Sequence, residues 1–113
     1  MKCFAIITLA LALPLGLAAA KAPKAAKGPD PAAEAMMKKS DCFTCHQVKM
    51  KVVGPSFKDI AKKYKGNAKA VETLVQKVKL GGQGNWGAVP MAAHPGLKDE
   101  EMKAMVQWIL AQK

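Results

Sequence analysis

An all-α fold of four short helices is the architecture that this 113-residue sequence predicts, and three observations point to it. Apolar residues recur at i, i+3, i+4 and i+7, the spacing of one helix face, in separate segments. Glycine and proline clusters punctuate the chain between those segments. No stretch alternates apolar and polar residues as a half-buried strand would. The length supports one domain at most.

The first twenty residues lie outside that architecture. Lys2, the apolar run from Phe4 to Leu13 and the small residues Ala18, Ala19 and Ala20 compose a secretory signal peptide, residues 1–20. The uncharged run from Cys3 to Ala20 reaches the lower length limit of a membrane-spanning helix, so an uncleaved anchor is the competing reading. Pro14, Gly16 and the A-x-A ending favour cleavage after Ala20. Cys3 then leaves with the peptide. Residues 21–29, KAPKAAKGP, have no apolar periodicity and read as a flexible basic leader. The folded domain spans residues 30–113.

Within it, Asp30 is an N-cap with Pro31 in the first helical position. Ala32 to Lys39 are mostly good helix formers, so a first helix ends just before Cys42. Ser56 caps a second helix, with Asp59 in the place of the capping-box acid and Phe57, Ile60, Ala61 and Tyr64 on one face; Gly66 stops it. Val71, Leu74, Val75 and Val78 define a third helix from about Ala68 to Leu80, closed by Gly81 and Gly82. Met102, Met105, Val106, Ile109 and Leu110 mark a fourth, whose first turn carries Asp99, Glu100 and Glu101 at the positive end of the helix dipole. Between the third and fourth helices, Gly81 to Leu97 holds five glycines and two prolines, and so long a loop in so small a domain is usually functional.

The mature chain has only Phe43, Phe57, Tyr64, Trp86 and Trp108 as aromatic residues, and a domain this short buries a modest share of its surface. It needs a staple. A disulfide between Cys42 and Cys45 would close too small a loop to constrain the unfolded chain much. The two cysteines belong instead to Cys42-Phe43-Thr44-Cys45-His46, the C-x-x-C-H attachment sequence of c-type haem. Two thioether bonds would hold one edge of the porphyrin and leave the His46 imidazole under the iron as proximal ligand. A thioredoxin-like dithiol would want a neighbouring β-α-β pattern, which is absent. A tetrahedral zinc site would want two further ligands where only His94 is left. One covalently attached haem c, a large flat apolar body, completes the core.

The candidates for the sixth iron position are the thioethers of Met36, Met37, Met50, Met91, Met102 and Met105 and the imidazole of His94. Met91 is the best choice, because it follows Pro90 in the Gly-rich loop, where irregular backbone can bring a thioether to the iron. Met102 and Met105 fall on a helix stripe and Met36 and Met37 on the first helix, where a methionine is ordinarily core filler. His94 is the main competitor. With His46 and Met91 both bound, the iron has no open position for substrate, which argues for one-electron transfer between Fe(III) and Fe(II) and against catalysis. The alternative is a five-coordinate haem acting as a gas sensor or weak peroxidase.

Without Lys2 the chain keeps 17 lysines against 8 acids, a net charge of +9, and it has no arginine. Export argues against nucleic acid as a partner. So does the missing guanidinium fork, which base and phosphate readers favour. Lysine supplies a diffuse field suited to acidic partners.

These residues resemble the small bacterial class I cytochromes c of the cytochrome c-551 (also c-552 or c8) type. The resemblance covers Asp30 to Lys113 and rests on CFTCH at 42–46, VVGPSFKDIAKKY at 52–64, GGQGNWGAVPM at 81–91 and QWILAQK at the C-terminus. It implies the class I cytochrome c fold around one haem, in a soluble, monomeric periplasmic electron carrier that is not an enzyme. It implies that the Pro55 carbonyl accepts a hydrogen bond from the proximal imidazole, that the Trp86 indole N–H binds a haem propionate, that Met91 is the distal ligand, and that Trp108 packs the last helix against the first. The partners it implies are acidic redox proteins such as quinol-cytochrome c reductase, terminal oxidase, nitrite reductase or cytochrome c peroxidase. Lys49, Lys51 and Lys58, with Lys38, Lys39, Lys77 and Lys79 further off, would steer the encounter. Two positions depart from the family pattern. Lys77 stands where relatives often have an arginine contacting a propionate. Ala92, Ala93 and His94 follow Met91 where relatives usually have two prolines and an asparagine, so the loop is expected to be less rigid. His94 itself reads as a solvated loop residue rather than a switch.

Overall fold

Local signals set the helix starts, and one helix carries most of the packing. The computed structural model describes residues 29–113; the signal peptide expected at 1–20 and the expected leader, up to residue 28, lie outside the described residues. Five helices follow one another: α1 (Pro31–Lys39), α2 (Cys42–Cys45), α3 (Phe57–Lys63), α4 (Ala70–Leu80) and α5 (Asp99–Leu110). The described residues form no strand, and the only β-type pairings among them are the isolated bridges His46–Lys51 and Gly82–Met91.

The all-α expectation holds, but the count of four helices is corrected to five by the single turn α2. Four residues are too few to carry a helical period, so periodicity cannot reveal such a turn. It is instead set up by Asp41, which adopts a left-handed conformation at φ 59°, a region that aspartate tolerates better than most residues. Thr44 N–H then donates to the Asp41 carbonyl at 3.1 Å and His46 N–H to the Cys42 carbonyl at 2.9 Å.

The other helix starts follow their caps. The Asp30 carboxylate accepts from Ala32 N–H at 2.9 Å. Ser56 Oγ accepts from Asp59 N–H at 3.1 Å and donates to the Asp59 carboxylate at 2.7 Å. The third expected helix begins at Ala70 rather than Ala68, because Asn67 diverts the chain into a turn. Its side chain accepts from Lys69 N–H at 2.9 Å and its carbonyl from Ala70 N–H at 3.1 Å. In α5, the Glu101 carboxylate reaches back to accept from Lys98 N–H at 2.9 Å.

Helix α5 is the hub, in contact with α1, α3 and α4. Its buried residues Met102, Met105, Val106, Trp108 and Ile109 cover more than a single stripe, as a helix surrounded on three sides requires. They meet Ala33 and Met37 of α1, Phe57 and Ile60 of α3, and Leu74 and Val75 of α4 in one apolar cluster. Trp108 lies edge-on to Phe57 (centroids 5.4 Å apart) and to Phe43 (6.1 Å), and Phe43 meets Phe57 at 5.4 Å. Through Phe43, the short α2 turn is docked onto the terminal helix, which orients the C-x-x-C-H segment.

Candidate haem site

One helical turn places residues i and i+3 side by side, so α2 presents Cys42 and Cys45 to the same side. Both are half-buried free thiols in the wall of a large cavity. Burial pushes the Cys42 thiol above its usual pKa; the charges of Asp41 and Cys45 act in the same direction and a backbone hydrogen bond opposes them. Cys42 is therefore a neutral thiol at physiological pH.

His46 leaves the turn in an extended conformation (φ −121°, ψ 137°). Its Nδ1 lies 2.7 Å from the Pro55 carbonyl oxygen. A carbonyl can only accept, so Nδ1 carries the hydrogen and Nε2 keeps its lone pair. Phe57 stacks on the ring at 5.5 Å and 25°. Gly54 closes the site from another direction: a Cβ there would stand 2.5 Å from His46 Cε1 and 2.8 Å from Nδ1. The segment is stitched down by Gly54 N–H to the Cys45 carbonyl (2.8 Å), Phe57 N–H to the Gln47 carbonyl (2.9 Å) and Lys58 N–H to the Val48 carbonyl (3.1 Å). The last two use amides at the start of α3 that have no partner within the helix.

The opposite wall is the loop after α4. Gly81 and Gly82 have φ of 66° and 116°, and a side chain on Gly81 would collide with the Met91 carbonyl. This close approach lets Gly82 and Met91 exchange both backbone hydrogen bonds, at 3.0 and 2.9 Å. His94 N–H donates to the Val78 carbonyl at 3.0 Å. Although the prolines are missing after Met91, its backbone is thus held on either side. Lys63, at the end of α3, donates to the Asn85 carbonyl at 2.9 Å, and its Nζ lies 4.3 Å from the Trp86 ring centroid.

Cys42, Cys45, His46, Pro55, Trp86 and Met91 all line this cavity of about 960 Å³. That volume is near the top of the roughly 300–1,000 Å³ range of small-molecule and cofactor sites. Its surface is mostly apolar, with two thiols on one rim, an imidazole nitrogen with a free lone pair, and a thioether in the opposite loop. The residues fit a c-type haem. Among the described residues no three His, Cys, Asp or Glu side chains converge as a zinc site requires. Of the other methionines, Met37 and Met105 reach the cavity from the core, while Met36, Met50 and Met102 do not line it.

Sequence reasoning missed two contributors, Gly54 and Lys63, and took the surroundings of a third, His94, wrongly. Gly54 was visible only as half of a Gly-Pro pair. Lys63 carries no local signal, because its partners lie on a loop more than twenty residues away. His94 is not the solvated residue expected: it lines the cavity, half-buried, and its Nδ1 is fully buried with no hydrogen-bond partner. Of the lysines expected near the site, Lys51 and Lys77 line the cavity, whereas Lys38 pairs with Glu34 at 2.7 Å and Lys79 with Asp99 at 3.1 Å.

The cytochrome c family model matches residues 31–113. The chain is 48% identical over 75 residues to cytochrome c-551 of Allochromatium vinosum, covering 66% of this chain and 80% of that protein. It is 46% identical over 80 residues to cytochrome c-552 of Hydrogenobacter thermophilus, covering 71% of this chain and 81% of that protein. The crystal structure of wild-type Nitrosomonas europaea cytochrome c552 superposes with a TM-score of 0.68 at 44% identity, over 71% of this chain and 99% of the other. Because the match takes in all five helices and both walls of the cavity, the chain belongs to the cytochrome c family, as an electron carrier with covalently attached haem c rather than an enzyme.

Proposed function

We propose that the mature chain is a soluble periplasmic one-electron carrier in which Cys42 and Cys45 form the two thioethers and His46 and Met91 are the axial ligands. The haem, when bound, supplies an iron that alternates between Fe(III) and Fe(II). The observation that carries the reading is the His46–Pro55 contact at 2.7 Å within a cavity that also holds both thiols and Met91. By taking the Nδ1 hydrogen, the Pro55 carbonyl fixes the tautomer that leaves Nε2 free to coordinate, and it raises the basicity of the ring. Met91 would supply the second protein ligand to the iron, which would leave no place for a substrate and would favour the reduced state relative to ligation by two nitrogens.

Trp86 and Lys77 border the cavity and supply an indole N–H and an ammonium suited to the haem propionates. The mouth is apolar at its rim, where Val52, Val53 and Val89 are 53%, 46% and 64% exposed, and it carries Lys51, with Lys49 and Lys58 nearby in sequence. An apolar rim within a positive field suits acidic redox proteins, such as a quinol-cytochrome c reductase on the donor side and a terminal oxidase, nitrite reductase or cytochrome c peroxidase on the acceptor side. Lys38 and Lys79 add less to that field, because each already faces a carboxylate.

Oxidised and reduced spectra of the purified protein test the assignment. A low-spin oxidised form with a sulfur-to-iron charge-transfer band is expected. A high-spin form that binds CO readily would replace the carrier with a five-coordinate gas sensor or weak peroxidase.

A further inference from the structure

The loop residues 83–90 are exposed and include two glycines with positive φ, Gly84 at 103° and Gly87 at 115°. Gly84 N–H donates to the Gly87 carbonyl at 2.8 Å, so Asn85 and Trp86 form the tip of a tight turn bounded on both sides by permissive backbone. Such a tip is placed by what grips it. Among the described residues, the only hydrogen bond that reaches it from outside the loop comes from Lys63, whose ammonium donates to the Asn85 carbonyl at 2.9 Å and lies 4.3 Å from the Trp86 ring centroid. Lys63 ends α3, a helix anchored at its other end by Phe57, which is buried and stacks on the His46 ring. The grip therefore comes from a fixed element. Trp86 lines the cavity and Lys63 does not, so the ammonium reaches the indole from outside the site.

We propose that Lys63 is a positioning residue for the haem propionate: it clamps Asn85 and Trp86 so that the indole N–H is held toward the carboxylate, and through that hydrogen bond it tunes the reduction potential. The proposal rests on the reading that Trp86 binds a propionate. Lys51 and Lys77 line the cavity and act there directly, whereas Lys63 acts through the indole. A cation over the ring face also draws on the electron density of the indole, which makes its N–H a stronger donor. An ionised propionate favours Fe(III), because its negative charge offsets the extra positive charge of the oxidised iron. A hydrogen bond to that carboxylate disperses part of the charge and moves the balance toward Fe(II). Loss of the clamp should lower the potential.

The test uses haem-loaded full chains: wild type, Lys63→Ala, Lys63→Arg, Lys62→Ala, Trp86→Phe and the double variant Lys63→Ala/Trp86→Phe. Each is compared by reduction potential and, where Trp86 is kept, by exchange of its indole N–H in proton NMR of the reduced protein. Lys63→Ala should lower the potential and speed the exchange by about two- to fivefold, as loss of an exposed cation–π contact implies. Lys63→Arg should restore both. Lys62→Ala removes the same charge from the neighbouring exposed position, and it should leave the exchange unchanged and shift the potential far less. With Trp86→Phe already present, Lys63→Ala should add no more than Lys62→Ala does. Wild-type exchange and potential in Lys63→Ala would overturn the proposal. Equal falls in potential for Lys63→Ala and Lys62→Ala would also overturn it, since they would assign the effect to the general field of the lysines. So would a fall that persists in full without the indole. Trp86→Phe at the wild-type potential would overturn the propionate reading of Trp86 and this proposal together, whereas a shifted Trp86→Phe beside an unshifted Lys63→Ala would remove Lys63 alone. The His46 and Met91 assignment is decided by the charge-transfer band of the wild type and is independent of these variants.

Discussion

His46 Nδ1 stands 2.7 Å from the carbonyl oxygen of Pro55, nine residues along the chain, and that single contact decides which face of the imidazole chemistry is available. It works because the intervening segment folds back on itself. Gly54 N–H is bound to the Cys45 carbonyl, which brings the Gly-Pro pair against the ring of the next residue.

Gly54→Ala should therefore damage the proximal side directly. The added methyl would stand 2.5 Å from His46 Cε1, and neither the ring nor the backbone can yield without loosening the Pro55 contact. A loss of about 1–3 kcal/mol is expected in denaturant unfolding of the haem-loaded protein. The same variant should show altered iron–histidine signals in its resonance Raman spectrum. Wild-type stability together with wild-type spectra would refute the account.

Lys63→Ala should loosen the distal loop without touching the core. It removes a cation–π contact worth about 0.5–1 kcal/mol at an exposed site, and the hydrogen bond to Asn85 with it. Amide exchange should speed up across residues 82–90 and stay unchanged in α5. Uniform exchange in both segments would show that the clasp holds nothing.

Trp108→Ala should cost about 3–5 kcal/mol, since it empties the place where α5 meets Phe43 and Phe57. Trp108→Phe should cost much less. It keeps a ring against both aromatics and removes an indole N–H that is buried without a partner. Equal losses in the two variants, measured by thermal unfolding, would contradict this ordering.

Electron-transfer rates with an acidic partner should fall steeply with added salt, because the chain carries a formal net charge of +10 and fields between exposed groups are screened beyond about 10 Å at 0.1 M. Lys51→Glu, in the wall of the cavity, should slow the reaction at low salt more than Lys38→Glu, whose ammonium already faces Glu34. A flat salt profile would remove the steering role.

The Cys42 thiol gives a pH-dependent prediction for the haem-free chain. Burial raises its pKa in the folded state, so the folded chain keeps a proton that the unfolded chain gives up first. The stability this group contributes is complete below the ordinary thiol pKa and is lost as the pH climbs through the raised value. At mildly alkaline pH, iodoacetamide should modify Cys42 more slowly than the same cysteine in a short peptide, with the gap closing as pH rises. Equal rates throughout would show that the haem-free chain does not bury this residue.

The helices that bear periodicity and caps were legible in the sequence, because Asp30, Ser56 and the stripes of α3, α4 and α5 act through neighbours within a turn or two. The haem attachment segment was legible for the same reason: its chemistry is contiguous. The α2 turn was not, since it depends on one left-handed aspartate and on Phe43 docking against a distant helix. The clasp made by Lys63 and the burial of His94 were illegible in the same way. Their partners, a loop carbonyl and a buried cavity wall, exist only once α3, α4 and the long loop have come together.

The contact between Phe43 and Trp108 also ties the C-x-x-C-H segment to the far end of the chain. In a chain delivered N-terminus first, the CFTCH segment emerges well before the helix that will hold it. Until Trp108 is in place, the turn that bears Cys42 and Cys45 lacks the aromatic contact that docks it. The placing of two cysteines near the start of the domain thus depends on a residue five positions from the end of the chain.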